Sequence, residues 1–501
     1  MDFDSTTLIL TTGALLLFFL WRAVAALKPP RCGCDTCRSY LSSSWTSTYN
    51  NLSDWYTHLL SQSPAATIHV HVLNNVITAN PDNVLHILKT RFDNYPKGKQ
   101  FSAILGDLLG AGIFNVDGHC WLFQRKIASL ELGSLSVRSY AFQIVRSEIE
   151  SRLLPLLGGG GGGAAAAVVD LQDIFQRFSF DSICRFSFGM DPGCLEASLP
   201  ESEFAAAFDA ASRLSAMRAT ATAPAIWKIK RFLNLGSERE LKKAIRSVHL
   251  LSESVIRNKR KSAAESGKGD LLSRFMATIN DDVLLRDIVI SFLLAGRDTV
   301  AAALTGFFFL VSRNPSAVER IREESDRIMG EYSDRAVEFE ELREMHFLQA
   351  AAHESMRLLP PVQFDSKFCA AADVLADGTA VARGTRVTYH PYAMGRMESV
   401  WGKDCGEFRP ERWLTAADGV FRQESPYKFA VFQAGPRVCL GRDMAVAEMK
   451  AVALSVIRKF DFELVDGGGA AASAAAPRFA PGLTATFAGG LRAVVRERKR
   501  F

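Results

Sequence analysis

The residues best suited to chemistry stand in Phe432-Gln-Ala-Gly435-Pro-Arg437-Val-Cys439-Leu-Gly441, followed by the helical run RDMAVAEMKAVALSVI. One cysteine sits where a glycine-rich loop turns into a helix. Backbone N–H groups and the positive helix end there favour thiolate over thiol, the form that a nucleophile or metal ligand needs. Gly435 and Gly441 let the backbone approach a flat partner closely, and Arg437 offers a cation to a neighbouring anion. A second segment, Ala295-Gly296-Arg297-Asp298-Thr299, lies inside a long apolar run. Charge and hydroxyl are costly there unless paired or functional, so it is either a satisfied buried cluster or a working site. Its glycine can open a kink with room for a small ligand or water. In His353-Glu354-Ser-Met-Arg357, the acid and the arginine are spaced to pair on one helix. In Trp121-Leu-Phe-Gln-Arg125, indole and guanidinium share a helix face suited to a carboxylate.

The elements that must position these residues are mostly helical. Residues 283–310 are apolar nearly all round, which predicts a buried helix. Residues 200–360 read as helix nearly throughout, with the 353–357 motif ending a helix before Pro360-Pro361. Residues 68–78 alternate and are β-branched, predicting a hairpin with His69 and His71 on one strand face as ordinary strand residues. A helix is expected to start at Pro81-Asp82-Asn83. Two Gly/Ala runs, residues 158–167 and 467–476, lack the context of a phosphate loop and read as surface insertions. Cys32, Cys34 and Cys37 form a compact triple thiol. A zinc site wants a fourth ligand and none is close in sequence, so they read as reduced thiols near a linker.

The chain has 501 residues, 48% of them hydrophobic, and 59 basic against 54 acidic side chains. That composition excludes a disordered or fibrous chain. Nine cysteines are too few for a disulfide scaffold at this length, and a net charge of +5 does not argue for nucleic acid. Residues 5–27 are apolar apart from Arg22 and are long enough to cross a bilayer. Acidic residues precede this stretch and basic ones follow, which orients the remainder toward the cytosol. A cleaved signal would want a basic rather than an acidic start.

The cysteine loop resembles the heme-binding loop of the cytochrome P450 family, with every signature position present. The 295–299 segment resembles that family's oxygen-activation helix, with Val300 in place of its second hydroxyl. Glu354, Arg357 and the Phe408-Arg-Pro410-Glu-Arg412-Trp413 element resemble its structural triad, with Trp for the usual final Phe. The resemblance implies a mainly α fold with small β-sheets over residues 28–501, preceded by a transmembrane helix over 1–27. It implies heme b with Cys439 as axial thiolate, and Phe432, Gly435 and Gly441 shaping the loop. Trp121, Arg125 and Arg437 would hold the heme propionates, and Thr299 with Asp298 would relay protons to dioxygen. An NADPH–cytochrome P450 reductase would supply electrons to an enzyme held on the endoplasmic reticulum membrane, its catalytic domain cytosolic.

The string AGRDT resembles the plant branch that hydroxylates fatty acids at their terminal carbon. FDNYPKGKQF, LGDLLGAGIFNVDG and WLFQRKIASLELGSLSVR resemble the subgroup oxidising jasmonoyl-isoleucine to alcohol and then carboxylate. Either substrate pairs an apolar chain with a carboxylate. Phe292, Ala295, Val362, Phe364 and Leu483 are expected wall residues, and Lys97 and Lys99 are either carboxylate partners or ordinary surface lysines. A peroxide-rearranging isomerase of the same fold is disfavoured by the presence of Thr299. A non-catalytic heme-binding scaffold would lack oxidised product.

Overall fold

Asp281 caps a long apolar helix by accepting hydrogen bonds from the N–H groups of Val283 (2.9 Å) and Leu284 (3.3 Å). The helix runs Asp282–Leu293, widens into a π-helical turn over Leu294–Asp298, and continues over Thr299–Val311. The expected buried helix is therefore present but interrupted at its polar centre. Its 30 residues are long and apolar enough to cross a membrane, yet most of its apolar stretch is buried within the fold. It is the core helix around which Leu171–Phe188, His346–Leu358 and Arg442–Lys459 pack. The computed structural model describes residues 32–159, 168–219, 221, 224–262, 270–331, 335–465 and 477–498. The expected anchor over residues 1–27 and most of both Gly/Ala runs lie outside the described residues.

Among the described residues, three small sheets flank the helices. The first takes the order β1 (Thr67–Val70), β2 (Asn75–Thr78), β7 (Arg386–Tyr389), β4 (Asp365–Phe368), with β2 and β7 parallel and the other pairs antiparallel. The second joins β3 (Val168–Asp170) and β8 (Phe460–Leu464) on either side of β9 (Arg492–Glu497). The third is the hairpin of β5 (Asp373–Val374) and β6 (Ala380–Val381). The hairpin expected over 68–78 has shorter strands than its alternation suggests. His71 opens a 3-10 turn instead of sharing the strand face with His69, although the two rings lie 3.9 Å apart. The helix expected at Pro81 is present, with Asn80 Oδ1 accepting from the Asp82 N–H at 2.9 Å.

Glu354 organises the lower core. Its fully buried carboxylate accepts from Arg357 Nε (2.7 Å) and Nη2 (2.8 Å), Arg412 Nε (2.8 Å) and the Arg409 N–H (2.9 Å). Trp413 Nε1 also donates to it at 2.9 Å, so the departure from Phe adds a hydrogen bond to the triad. Above this group His353 packs 4.6 Å from Phe421 and 5.4 Å from Trp413, and burial lowers its pKa to about 4. Burial likewise lowers His390 to about 3. Both rings are neutral in the fold, whereas unfolded histidine protonates near pH 6.5. The stability present above pH 6.5 is therefore lost as pH falls toward 4 and 3. Thermal melts between pH 7 and 4.5 are expected to drop, and His353→Phe is expected to shrink that drop by about one proton's contribution. An unchanged slope in the variant would refute the assignment.

Candidate active site

The cysteine loop is held open by backbone geometry. Its ends are tied by the Cys439 N–H donating to Phe432 O at 2.8 Å. Gln433 and Gly435 both adopt positive φ. A Cβ on Gly435 would stand 2.0 Å from Leu88 O, in the π-helical turn His86–Thr90, so only glycine allows this close approach. The Cys439 thiol opens into a cavity of about 1060 Å³ and is enclosed by protein on its other sides. Burial pushes its pKa up, opposed by a hydrogen bond from the Gly441 backbone and by the charge of Arg125. The anion-favouring groups expected at the helix start are therefore present, although burial outweighs them in the polypeptide alone.

Arg125 and Arg437 line the cavity together with Cys439, and Trp121 packs against Arg437. Arg437 donates to Asp117 Oδ1 (2.7 Å) and Val116 O (3.0 Å), with its guanidinium 4.5 Å from the Trp121 ring centre. Arg125 donates to Val438 O, next to Cys439. This donor set fits a heme: one sulfur faces an apolar gap, with two cations lining it to meet the propionates and an indole packed on one of them. The cavity exceeds the ~300–1,000 Å³ of common ligand pockets, leaving room for a tetrapyrrole and a guest.

Opposite the thiol, Ala295, Gly296 and Thr299 line the cavity, and the Thr299 hydroxyl donates to Ala295 O within the π-helical turn. A Cβ on Gly296 would stand 2.4 Å from Ile183 Cδ1, so this glycine serves close helix packing as well as the cavity. Asp298 is not among the cavity-lining residues. Its carboxylate lies 3.3 Å from Arg297, whose Nη2 also donates to Asp209 at 3.1 Å. Burial raises the Asp298 pKa to about 6, with Arg297 pulling it back.

Phe292, Ala295, Val362, Phe364 and Leu483 all line the cavity. The two lysines part company. Lys99 is exposed, whereas Lys97 is buried against the cavity and donates to Asp365 Oδ1 at 2.6 Å. Sequence reasoning missed two residues here. Arg386 on β7 lines the cavity and donates to Ser366 Oγ (2.9 Å) and Ala219 O (3.2 Å); among the described residues no carboxylate is within ion-pair distance, although the Asp365 charge acts on it. Glu448 also lines it, its carboxyl raised to about 8 by burial, and its Oε1 has no partner among the described residues. A lone arginine on a short strand carried no motif. Glu448 stood in the quoted helical run without any spacing cue to a partner.

A profile of the family described as Cytochrome P450 matches residues 47–476. Cytochrome P450 94C1 of Arabidopsis thaliana is 56% identical over 487 residues, covering 97% of each chain. Cytochrome P450 94B3 of the same plant is 47% identical over 90% of this chain and 88% of its own. Cytochrome P450 94A1 of Vicia sativa is 44% identical over 81% and 80%. Among solved structures, the cytochrome P450DA heme domain superposes with a TM-score of 0.69 at 18% identity, covering 85% of this chain and 88% of that one, a likeness of fold. With this fold, a lone cavity-facing thiol and relatives of such identity, the chain belongs to the cytochrome P450 family, as a heme-dependent monooxygenase that draws its electrons from a reductase.

Proposed function

We propose that this enzyme hydroxylates the terminal carbon of an apolar carboxylic acid, jasmonoyl-isoleucine, and carries the alcohol on to the carboxylate. One observation supports the carboxylate most directly. Arg386 lies in the wall of an otherwise largely apolar cavity and donates only to neutral oxygens, while the nearby Asp365 charge is already held by Lys97 and Lys367. A buried guanidinium of this kind gains from an incoming anion. Lys97, held by Asp365, is less free to serve. The subgroup resemblance of residues 92–101, 105–118 and 121–138 favours the jasmonoyl conjugate, and the AGRDT string favours a free fatty acid as the second reading.

Bound heme would supply the activation of dioxygen, with electrons from an NADPH–cytochrome P450 reductase. Cys439 would hold its iron as thiolate. Arg125, Arg437 and Trp121 would hold its propionates, and Phe432, Gly435 and Gly441 would shape the loop against it. The walls at Phe292, Ala295, Val362, Phe364 and Leu483 exclude water and aim the chain end at the reacting centre, so that geometry selects a methyl group over its methylene neighbours. Thr299 turns its hydroxyl from Ala295 O into the cavity to pass a proton, and Asp298 behind it is the reserve acid. Thr299→Ala is expected to lower product formed per NADPH consumed by ~10²-fold, with Thr299→Ser retaining most of it. Equal coupling in all three proteins would remove the relay.

Membrane attachment of the enzyme at the endoplasmic reticulum is part of the same reading. Besides the anchor expected over 1–27, the helix Pro224–Leu233 exposes Ile226, Ile229, Phe232 and Leu233 beside Lys228 and Lys230, a combination suited to a lipid surface. The substrate is tested by incubating the reductase-coupled protein with jasmonoyl-isoleucine and a lauric-type acid together, with products read by mass. Turnover of the fatty acid alone would overturn the preferred substrate. Arg386→Leu is expected to raise KM for the acid by ~10–100-fold while leaving its methyl ester little changed. An equal effect on both would sink the carboxylate contact.

A further inference from the structure

The chain carries a second thiol centre far in sequence from Cys439. Cys32, Cys34 and Cys37 bring their three sulfur atoms within 4.8 Å of one another. Cys32 and Cys34 stand 3.3 Å apart, well beyond the ~2.05 Å of a disulfide, and all three are free thiols. From the triad of sulfurs we infer that Cys32, Cys34 and Cys37 bind one zinc ion through three thiolates, with water in the fourth position. Tetrahedral zinc takes Zn–S bonds of about 2.3 Å, which sets neighbouring sulfurs about 3.8 Å apart. Cys32 and Cys34, 3.3 Å apart, are near that spacing and Cys37 lies within 4.8 Å of both, so small rotations of the Cys32 and Cys34 side chains would close the site.

The local fold gives this triad features that scattered surface cysteines lack. Cys34 occupies the N-cap of the helix Asp35–Ser42, at its positive end, without a side-chain capping bond of its own. Cys37 is the fixed member. It is fully buried in the cluster that contains Tyr40, Trp55 and Tyr56, and so offers an immobile first ligand. Cys34 is exposed and Cys32 half-exposed, so the ion has an entry path and a face open to water. The sequence alone argued against zinc for want of a fourth residue. The sulfur positions answer that objection with a three-ligand site of the open kind. Bound zinc would clip residues 32–34 to the first helix of the domain and fix the direction in which the chain enters it.

Binding displaces up to three thiol protons and changes no oxidation state. The test uses the heme-loaded full chain under a phosphine reductant, titrated with Zn²⁺ against a chromophoric chelator. Alkylation and peptide mapping then report which thiols the metal shields. The expected result is one zinc per chain, with Cys32, Cys34 and Cys37 protected together and the heme spectrum unchanged. Cys34→Ser is expected to weaken binding by about two orders of magnitude, roughly one ligand's share of a structural site. The double change Cys32→Ser with Cys34→Ser should abolish it, and Cys120→Ser, an exposed thiol elsewhere, should do nothing. Both variants leave the buried Cys37 in place and so avoid its packing role. Absence of zinc-dependent protection at these three positions, or stoichiometric zinc retained by the double variant, would overturn the proposal.

Discussion

Cys439→Ala is expected to yield a folded protein without the carbon-monoxide difference band of a thiolate-ligated heme. Its turnover should fall below about a thousandth of the parent's, ~4 kcal/mol on the barrier. The reason lies in the geometry of the loop: Cys439 is the cysteine whose thiol opens into the large cavity, and Arg125, Arg437 and the Gly441 backbone are arranged around it. Cys369→Ala is the matched control. Cys369 is buried, lies off the cavity and bonds to Ala371 O at 2.8 Å. It should keep both band and activity. A Cys439→Ala protein that retained the band would end the case for this loop as the heme site.

Glu354→Gln produces the second large effect, on folding rather than chemistry. The carboxylate is fully buried and is shared by Arg357 and Arg412, with Arg357 itself fully buried. Removing one member of a buried ion group leaves uncompensated charge and costs about 3–5 kcal/mol. The amide would also turn an N–H₂ toward a guanidinium. Expression is expected to give little heme-loaded protein, with a lowered midpoint in urea followed by circular dichroism. Trp413→Phe removes a single hydrogen bond at 2.9 Å and should cost about 1–3 kcal/mol, leaving the protein folded. If both changes proved equally mild, the triad would not hold this core.

What could be read in advance was what repeats locally. Helical periodicity found the core helix at 283–310, the helix start at Pro81 and the face shared by Trp121 and Arg125, because each depends on neighbours within a turn or two. The loop around Cys439 was equally legible, since its glycines and its thiol lie within a few residues. Partners remote in sequence left no such trace. Lys97 read as a possible surface lysine because Asp365, its partner, lies 268 residues away. The π-helical turn at Leu294–Asp298 breaks no composition rule, yet it accompanies an Asp298 that pairs with Arg297 off the cavity wall. Arg386 gained its position from a strand pairing that alternation cannot specify. The sequence showed only that Trp413 stands where the family has Phe; its bond to Glu354 joins residues 59 positions apart.

The parallel register of β2 on β7 constrains how the molecule is made. Thr388 Oγ1 on β7 donates to Asn75 Oδ1 on β2, a residue 313 positions earlier in the chain. At a ribosome's pace of ~5–20 residues per second, β2 is synthesised roughly 15–60 s before its partner exists. During that interval the hairpin of β1 and β2 offers an unpaired edge bearing Val76 and Ile77, both destined for burial. Nascent chains halted before residue 386 should therefore bind holdase chaperones and aggregate when released, and those extended past β7 should not.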